Sequence, residues 1–312
     1  MLDSARVSVV MAVFNVAPYI RAAVDSVLSQ TFPAWELIVV DDASTDATLS
    51  ILQEYRDHRI RIVPTPHGGQ IAAATTGVAL ASGEYLAFLD GDDIWTPDKL
   101  QRHIDYLDRN PGVDLTFSLS AIIDESGNPT LRRSPFCGGV VRFETLLRQN
   151  LAGNGSALVF RREAFLRAGG YDPSLAFYYD RDVWLRMCLL RPGNVHAIPE
   201  YLTLYRRRRG QISRQIVPME KAADQLIQKF RALAPEAVGA AEKEMRSNMN
   251  RFWAFIRWEE EDFRGAAAYL KRAFLYAPLF FLRDRRNLAL SLAITAGRLL
   301  PLTWYRRLAQ KI

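Results

Sequence analysis

The sequence predicts an α/β domain, a mostly parallel sheet flanked by helices, followed by an all-helical C-terminal extension. Three observations carry this expectation. Apolar, β-branched runs alternate with helical patterns through the first hundred residues, the rhythm of parallel strands joined by crossover helices. Two of these runs stop at acids, Asp41-Asp42 and Asp90-Gly91-Asp92-Asp93, at the strand ends where open parallel sheets gather their ligands. Beyond residue 216 the strand pattern ceases and only helical periodicity remains.

The elements follow in order. Residues 7–13 (VSVVMAV) form a continuous apolar run suited to a strand covered on both faces, and it ends at Phe14-Asn15. Residues 18–30 carry Ile20, Ala23, Val24, Val27 and Leu28 at helical spacing. A second buried strand spans 35–40 (WELIVV), and Ser44 or Asp46 is positioned to cap a helix over 48–56. Residues 59–64 alternate as a third strand, Gly68 and Gly69 open a loop, and 71–81 form a helix of small residues ended by Ser82-Gly83. The strand beginning at Tyr85 then delivers the acids. This order sets Asn15, Asp41, Asp42, Asp90 and Asp92 on one rim.

Composition bounds the function. The chain has 312 residues, 49% of them hydrophobic and 24% charged, enough for two domains or one large domain with an appendage. Cys137 and Cys188 lie far apart and outside metal-ligand spacing, so they read as reduced thiols of a cytoplasmic protein. The apolar N-terminal run lacks a basic cluster before it and a small-residue cleavage site after it, and therefore reads as a strand rather than a signal peptide. The net charge of +6 is confined to residues 283–312, where seven Lys or Arg face the single acid Asp284. Such confinement disfavours a nucleic-acid partner, which calls for positive charge across the folded face that meets phosphates.

Three carboxylates within four residues cannot enter a hydrophobic core unpaired. Their natural partner is a hard cation, Mg2+ or Mn2+, sharing its other positions with phosphate oxygens. No glycine-rich phosphate loop follows the first strand, where residues 14–18 read FNVAP; this excludes a dinucleotide-binding domain and leaves the cation to meet phosphate charge. The competing reading is a solvated acidic turn with Asp93 or Asp98 as helix cap. His67 and His196 are expected in loops without ligand spacing, and Trp95 and Trp184 in the core or the acceptor side.

The motifs VSVVMAVFN (7–15), ELIVVDDASTD (36–46) and ASGEYLAFLDGDD (81–93), with GSALVFRR (155–162), GGYD (169–172) and YDRDVWLR (179–186), together resemble family 2 glycosyltransferases of the GT-A fold. The resemblance covers roughly residues 6 to 213. It implies a nucleotide-sugar-binding half over 1–100, an acceptor-binding half over 101–215 and a helical extension over 216–312. Ala12, Phe14 and Asp42 would then contact the base, with Asp90 and Gly91 also at the nucleotide sugar. Asp92 and Asp90 would hold the metal, Asp92 being the direct ligand, and Asp180 falls at the catalytic base. The family's Glu-Asp pair is Tyr179-Asp180 here, its Ala-Arg-Asn is Ala73-Ala74-Thr75, and its late histidine is Arg208.

The implied reaction is inverting transfer of a sugar from a UDP- or dTDP-linked donor to a hydroxyl of a glycan or lipid-linked acceptor. Arg208, in the run Arg206 to Arg209, either folds over the diphosphate or lies in a solvated basic loop. A non-catalytic relative that binds sugar nucleotide or scaffolds a polysaccharide-assembly complex is the alternative the three departures permit. A nucleotidyltransferase would need a glycine-rich basic loop after the first strand, which is missing.

Helices are expected over 219–233, 236–260 and 263–276, separated by Pro235, Asp262 and Pro278. The apolar stretch 288–297 is ten residues long, about half the ~20 needed to span a bilayer. Arg283, Arg285 and Arg286 precede it; Trp304, Tyr305, Arg306, Arg307 and Lys311 follow. That bracketing predicts a helix lying on the anionic inner face of the cytoplasmic membrane, against the alternative of a hairpin packed on protein.

Overall fold

The computed structural model describes residues 5–299. The chain divides into two compact units, one comprising residues up to Phe143 with Asn150–Arg209, the other Glu144–Gln149 with all residues from Gly210 onward.

In the first unit β1 (Val7–Val13), α1 (Ala17–Leu28), β2 (Trp35–Asp41), α2 (Thr48–Leu52), β3 (Ile60–Pro64), α3 (Gln70–Leu80) and β4 (Tyr85–Phe88) alternate strictly. The strands pair in parallel in the order β3-β2-β1-β4. Both faces of β1 and β2 are buried, which is why these segments read as unbroken apolar runs rather than alternating ones. The small residues of α3 let it approach closely: a Cβ on Gly77 would lie 2.5 Å from Val10 Cγ1. Helix α2 stops at Leu52, not Arg56, because the amides of Glu54 and Tyr55 turn back to Ile51 and Leu52 and tighten the chain out of the helix.

The remainder of this unit supplies β5 (Ile94–Trp95), α4 (Lys99–Arg109), β6 (Leu115–Ile123), β7 (Pro129–Arg133), β8 (Gly139–Val140), β9 (Leu158–Arg161), α6 (Arg162–Arg167), α7 (Tyr179–Leu190) and β10 (Val195–Arg206). Between β8 and β9 comes α5 (Phe143–Arg148), most of which belongs to the second unit. The sheet continues from β4 as β9-β6-β10-β5, with β9 antiparallel to both β4 and β6, and with β10 parallel to β6. Reversal across β9 sends β4, β6 and β10 in one direction, so their carboxyl ends share an edge with those of β1 and β2. His196 lies within β10, not in a loop, where it pairs with Val140 and its ring meets the Tyr106 hydroxyl at 2.8 Å. Trp95 and Trp184 are core residues, and Cys188 is a buried and Cys137 a half-buried free thiol.

The second unit contains α8 (Ile216–Leu233), α9 (Pro235–Glu259), α10 (Phe263–Tyr276), α11 (Pro278–Arg283) and α12 (Arg285–Leu299). Pro235 and Pro278 open helices where proline's missing N–H costs nothing, and Asp262 caps α10 by accepting from the Gly265 amide. Residues 144–149 join this unit through Arg148, whose carbonyl accepts from Asn248 and whose guanidinium pairs with Glu244 at 2.7 Å. Stretch 288–297 is part of α12, which buries one face and exposes the other. Leu290, Ile294 and Gly297 face inward, with Gly297 so close to the Phe263 ring that no Cβ would fit, whereas Leu288 and Leu292 are exposed. Trp304, Tyr305, Arg306, Arg307 and Lys311 lie outside the described residues. Among the described residues no helix is long and apolar enough to cross a membrane.

Candidate functional site

The loops after β1 and β2 are cross-braced. Asn15, with φ 51°, accepts from the Thr45 and Asp46 amides, and its own amide donates to Ser44 Oγ. Ala43 also has a left-handed φ of 59°, an uncommon conformation for a residue with a Cβ. Asp46 accepts from Ala17 and Thr48, tying both loops to the first turns of α1 and α2. Ala12 is half-buried in β1, and Phe14 is 44% exposed with its ring 4.8 Å from that of His67.

Asp42 is buried, and its carboxylate is engaged by the chain itself. The amides of Gly68 and Gly69 donate to its two oxygens at 2.7 and 2.9 Å, and His67 Nδ1 lies 2.9 Å from Oδ2. His67 therefore has a partner that its sequence position did not reveal. The strands ending at Asp42 and Asp90 are not neighbours; they flank β1.

After β4 the chain turns through Asp90-Gly91-Asp92-Asp93. A Cβ on Gly91 would meet Val13 at 2.8 Å and Val16 at 3.0 Å, so glycine is required for the turn to settle against the end of β1. Asp90 receives a hydrogen bond from Gln70 Nε2 at 3.2 Å, and its amide donates to Ser156 Oγ. Burial, then the charges of Asp92 and Asp180, push its carboxyl up to about 7. Asp93 is wholly buried and caps no helix. It accepts from Ser156 Oγ at 2.6 Å and from the Arg206 amide at 2.8 Å, and burial raises its carboxyl well above the usual range.

Arg206 arrives because β5, directly after the acids, pairs with the end of β10. Its Nε donates to the Asp92 carbonyl, and Arg208 Nε donates to Asp92 Oδ2 at 2.6 Å. The guanidinium carbons of both arginines lie 5.2 Å from the centre of the Tyr19 ring.

Asp180 occupies the first turn of α7, entered through Tyr178 at φ 60°. One oxygen accepts from the next amide, Arg181 N, at 2.7 Å. Burial raises its carboxyl. Its charge is felt by Asp90 and by the buried phenols of Tyr171 and Tyr179, whose rings are 5.1 Å apart. Asp182, two residues on, differs: it is fully buried in an ion pair with Arg186 at 2.6 Å.

Among the described residues no group of three or more His, Cys, Asp or Glu is arranged to enclose a metal ion. A Mg2+ or Mn2+ that bridges phosphates does not need such a cage, because one or two carboxylates suffice beside phosphate oxygens and water. Asp90 and Asp92 fit that donor set.

Ser156 and Tyr19 are not singled out by the sequence, although Ser156 stands in GSALVFRR, one of the motifs behind the resemblance, and Arg206 is marked only as the start of the arginine run. A buried lysine was also missed. Lys99 Nζ is fully enclosed, within 3.2 Å of His103 Nε2, Ser118 Oγ and the Ala157 carbonyl, and burial lowers its amine well below the ordinary range.

Residues 8–168 match the sequence profile described as glycosyl transferase family 2. The putative teichuronic acid biosynthesis glycosyltransferase TuaG of Bacillus subtilis is 31% identical over 212 residues, 66% of this chain and 81% of that protein. The UDP-Glc:alpha-D-GlcNAc-diphosphoundecaprenol beta-1,3-glucosyltransferase WfgD of Escherichia coli is 30% identical over 198 residues, 63% of this chain and 74% of that one. Among solved structures, S. aureus TarS 1-349 in complex with UDP-GlcNAc superposes with a TM-score of 0.66 at 17% identity, covering 94% of this chain and 87% of that one. The mannosyltransferase PcManGT from Pyrobaculum calidifontis, in complex with GDP-Man and Mn2+, gives 0.60 at 20% identity over 95% and 88%. The two solved structures speak for the GT-A fold alone. On the profile and the sequence relatives together, the chain belongs to glycosyl transferase family 2.

Proposed function

We propose that the protein transfers a sugar from a nucleoside-diphosphate donor, UDP- or dTDP-linked, to a hydroxyl of a glycan or lipid-linked acceptor, with inversion. The observation that carries this reading is the convergence of Asp90, Asp92 and Asp180, where burial first and then the charges of Asp92 and Asp180 raise the Asp90 carboxyl. Asp180 acts as general base, taking the acceptor proton as that oxygen attacks the anomeric carbon, a role typically worth about 10²–10⁴-fold. Burial raises its carboxyl, which makes it a stronger base than an exposed aspartate. Asp90 and Asp92 would hold Mg2+ or Mn2+, which when bound offsets charge on the departing diphosphate. Exposed Phe14 and half-buried Ala12 would contact the nucleobase, and Asp42 would support that contact by fixing the 67–69 loop. Gly91 keeps the acidic turn low against β1.

The test is donor hydrolysis and transfer by purified protein over a panel of UDP-, dTDP- and GDP-sugars with Mn2+. Turnover lost in Asp180→Asn supports the reading, while donor binding without turnover in the parent would favour the non-catalytic alternative.

A contact with anionic membrane belongs to the same proposal. Leu279, Leu282, Leu288, Leu292 and Leu299 are exposed on α11 and α12 among Arg283, Arg285 and Arg298. Apolar side chains beside cations suit an interface in which each cation is worth about 1 kcal/mol. Co-sedimentation with anionic vesicles at low salt, lost in a Leu279→Ser, Leu292→Ser double variant, is the expected result; equal binding by both proteins would reject it.

A further inference from the structure

We propose that Arg208 is an internal counter-ion that competes with the divalent cation for Asp92 and is handed to the donor diphosphate when that cation binds. The inference rests on the function proposed above and concerns the regulation of the same site.

The geometry points to it in three steps. First, Arg208 Nε is 2.6 Å from Asp92 Oδ2, and the two side chains are only 18% and 10% exposed, so this carboxylate's charge is already answered from within the protein. A metal ligated through Asp92 Oδ2 would meet the guanidinium at that oxygen. Second, the neighbouring Arg206 is built into the fold: its Nε and Nη1 donate to the carbonyls of Asp92, Asp124 and Glu125, and its amide donates to Asp93. Two residues on, just past the end of the strand, Arg208 makes its short contact to a carboxylate, with a longer one of 3.4 Å to the Arg209 carbonyl. Third, both guanidiniums lie at 5.2 Å from the Tyr19 ring, whose hydroxyl is fixed by Glu125 at 3.0 Å. Tyr19 is thus a fixed face along which Arg208 can leave Asp92 without losing its aromatic partner. A guanidinium released beside a diphosphate has a geometrically matched acceptor, since its planar fork pairs with phosphate oxygens.

Metal and donor are then bound cooperatively. Without nucleotide, the cation must displace Arg208 at a loss; with nucleotide, the displaced arginine gains the diphosphate.

The test is calorimetry of Mn2+ alone, of UDP alone and of UDP in saturating Mn2+, on the parent, Arg208→Gln and Arg209→Gln. Arg209 is exposed and removes the same charge one residue along. Arg208→Gln should bind Mn2+ alone more tightly by at least about fivefold. It should also show a smaller tightening of UDP by Mn2+, with Arg209→Gln near the parent in both. Thermal shift gives a second readout, because Mn2+ alone should raise the melting temperature of Arg208→Gln more than that of the parent. Unchanged or weaker Mn2+ binding in Arg208→Gln, while Mn2+ still tightens UDP in the parent, overturns the competition and leaves the metal reading standing. If Mn2+ binds neither protein and never affects UDP, the metal reading fails and the competition falls with it. Equal gains in both variants would reduce the effect to net charge and likewise reject a specific exchange at Asp92.

Discussion

The two edges of the first unit's sheet treat acids in opposite ways. At the edge where β4 begins, every acid considered has an arginine. Glu84 pairs with Arg6 and Arg161, Asp108 with Arg6, and Asp114 with Arg191 at 2.5 Å while accepting from Asn194. At the opposite edge, where β4 ends, Asp90 and Asp93 are hydrogen-bonded by Gln70, Ser156 and a backbone amide, and their carboxyls are raised. Left-handed backbone clusters there too, at Asn15 and Ala43. One edge is neutralised and contributes stability. The other crowds buried carboxylates around one arginine pair, Arg208 with Asp92, and stores backbone strain, as a site does that must bind something else.

This contrast is broken most severely at α7, which carries one acid of each kind. Asp180→Asn should keep donor affinity and lose about 10²–10⁴-fold in kcat. Asp182→Asn should instead destabilise the fold by about 1–3 kcal/mol, since it takes the carboxylate from half-buried Arg186, which keeps only the Ala168 and Gly170 carbonyls. Steady-state kinetics and denaturant melts on both variants check the pair, and a reversal would move the base two residues along.

The paired edge comes next. Asp114→Asn should cost stability, about 1–3 kcal/mol, with donor Kd unchanged. Weakened donor binding in this variant would mean the edges are not functionally separate.

A pH titration of the metal-free protein sharpens the other edge. Asp90 is held at about 7 against an ordinary 3.8, so between those values the folded chain keeps a proton the unfolded chain has lost. Stability should therefore fall as pH rises through that window. Asp90→Asn should flatten the slope and raise Tm above pH 7; an unaltered slope would mean the crowding of carboxylates is not felt. The smallest effect is expected at Ala43→Gly, where relief of a left-handed alanine should stabilise by up to about 1 kcal/mol.

What could be read from the chain divides along the same line. The parallel half was legible because strands buried on both faces carry unbroken apolar runs and small residues mark the close approach of α3. Acids at strand ends stood out because no core accepts them. The second half was harder: β9 is four residues long, β5 and β8 are two each, and their pairing depends on contacts distant in sequence. Partners were hardest of all. That Asp42 would be held by Gly68, Gly69 and His67, or that Asp182 rather than Asp180 would find Arg186, depends on three-dimensional placement that residue type does not encode. The late arginine run was visible, but its delivery to Asp92 follows from the two-residue pairing of β5 with β10.

On this proposal the end of the sheet where the carboxylates crowd holds its donor through a cation at Asp92. Calorimetric binding of UDP with and without Mn2+, in the parent and in Asp92→Ala, tests it most directly. The account predicts that Mn2+ tightens UDP in the parent and has no effect in the variant, whose melting curve still shows a folded protein. The same Mn2+ dependence in both proteins would contradict it.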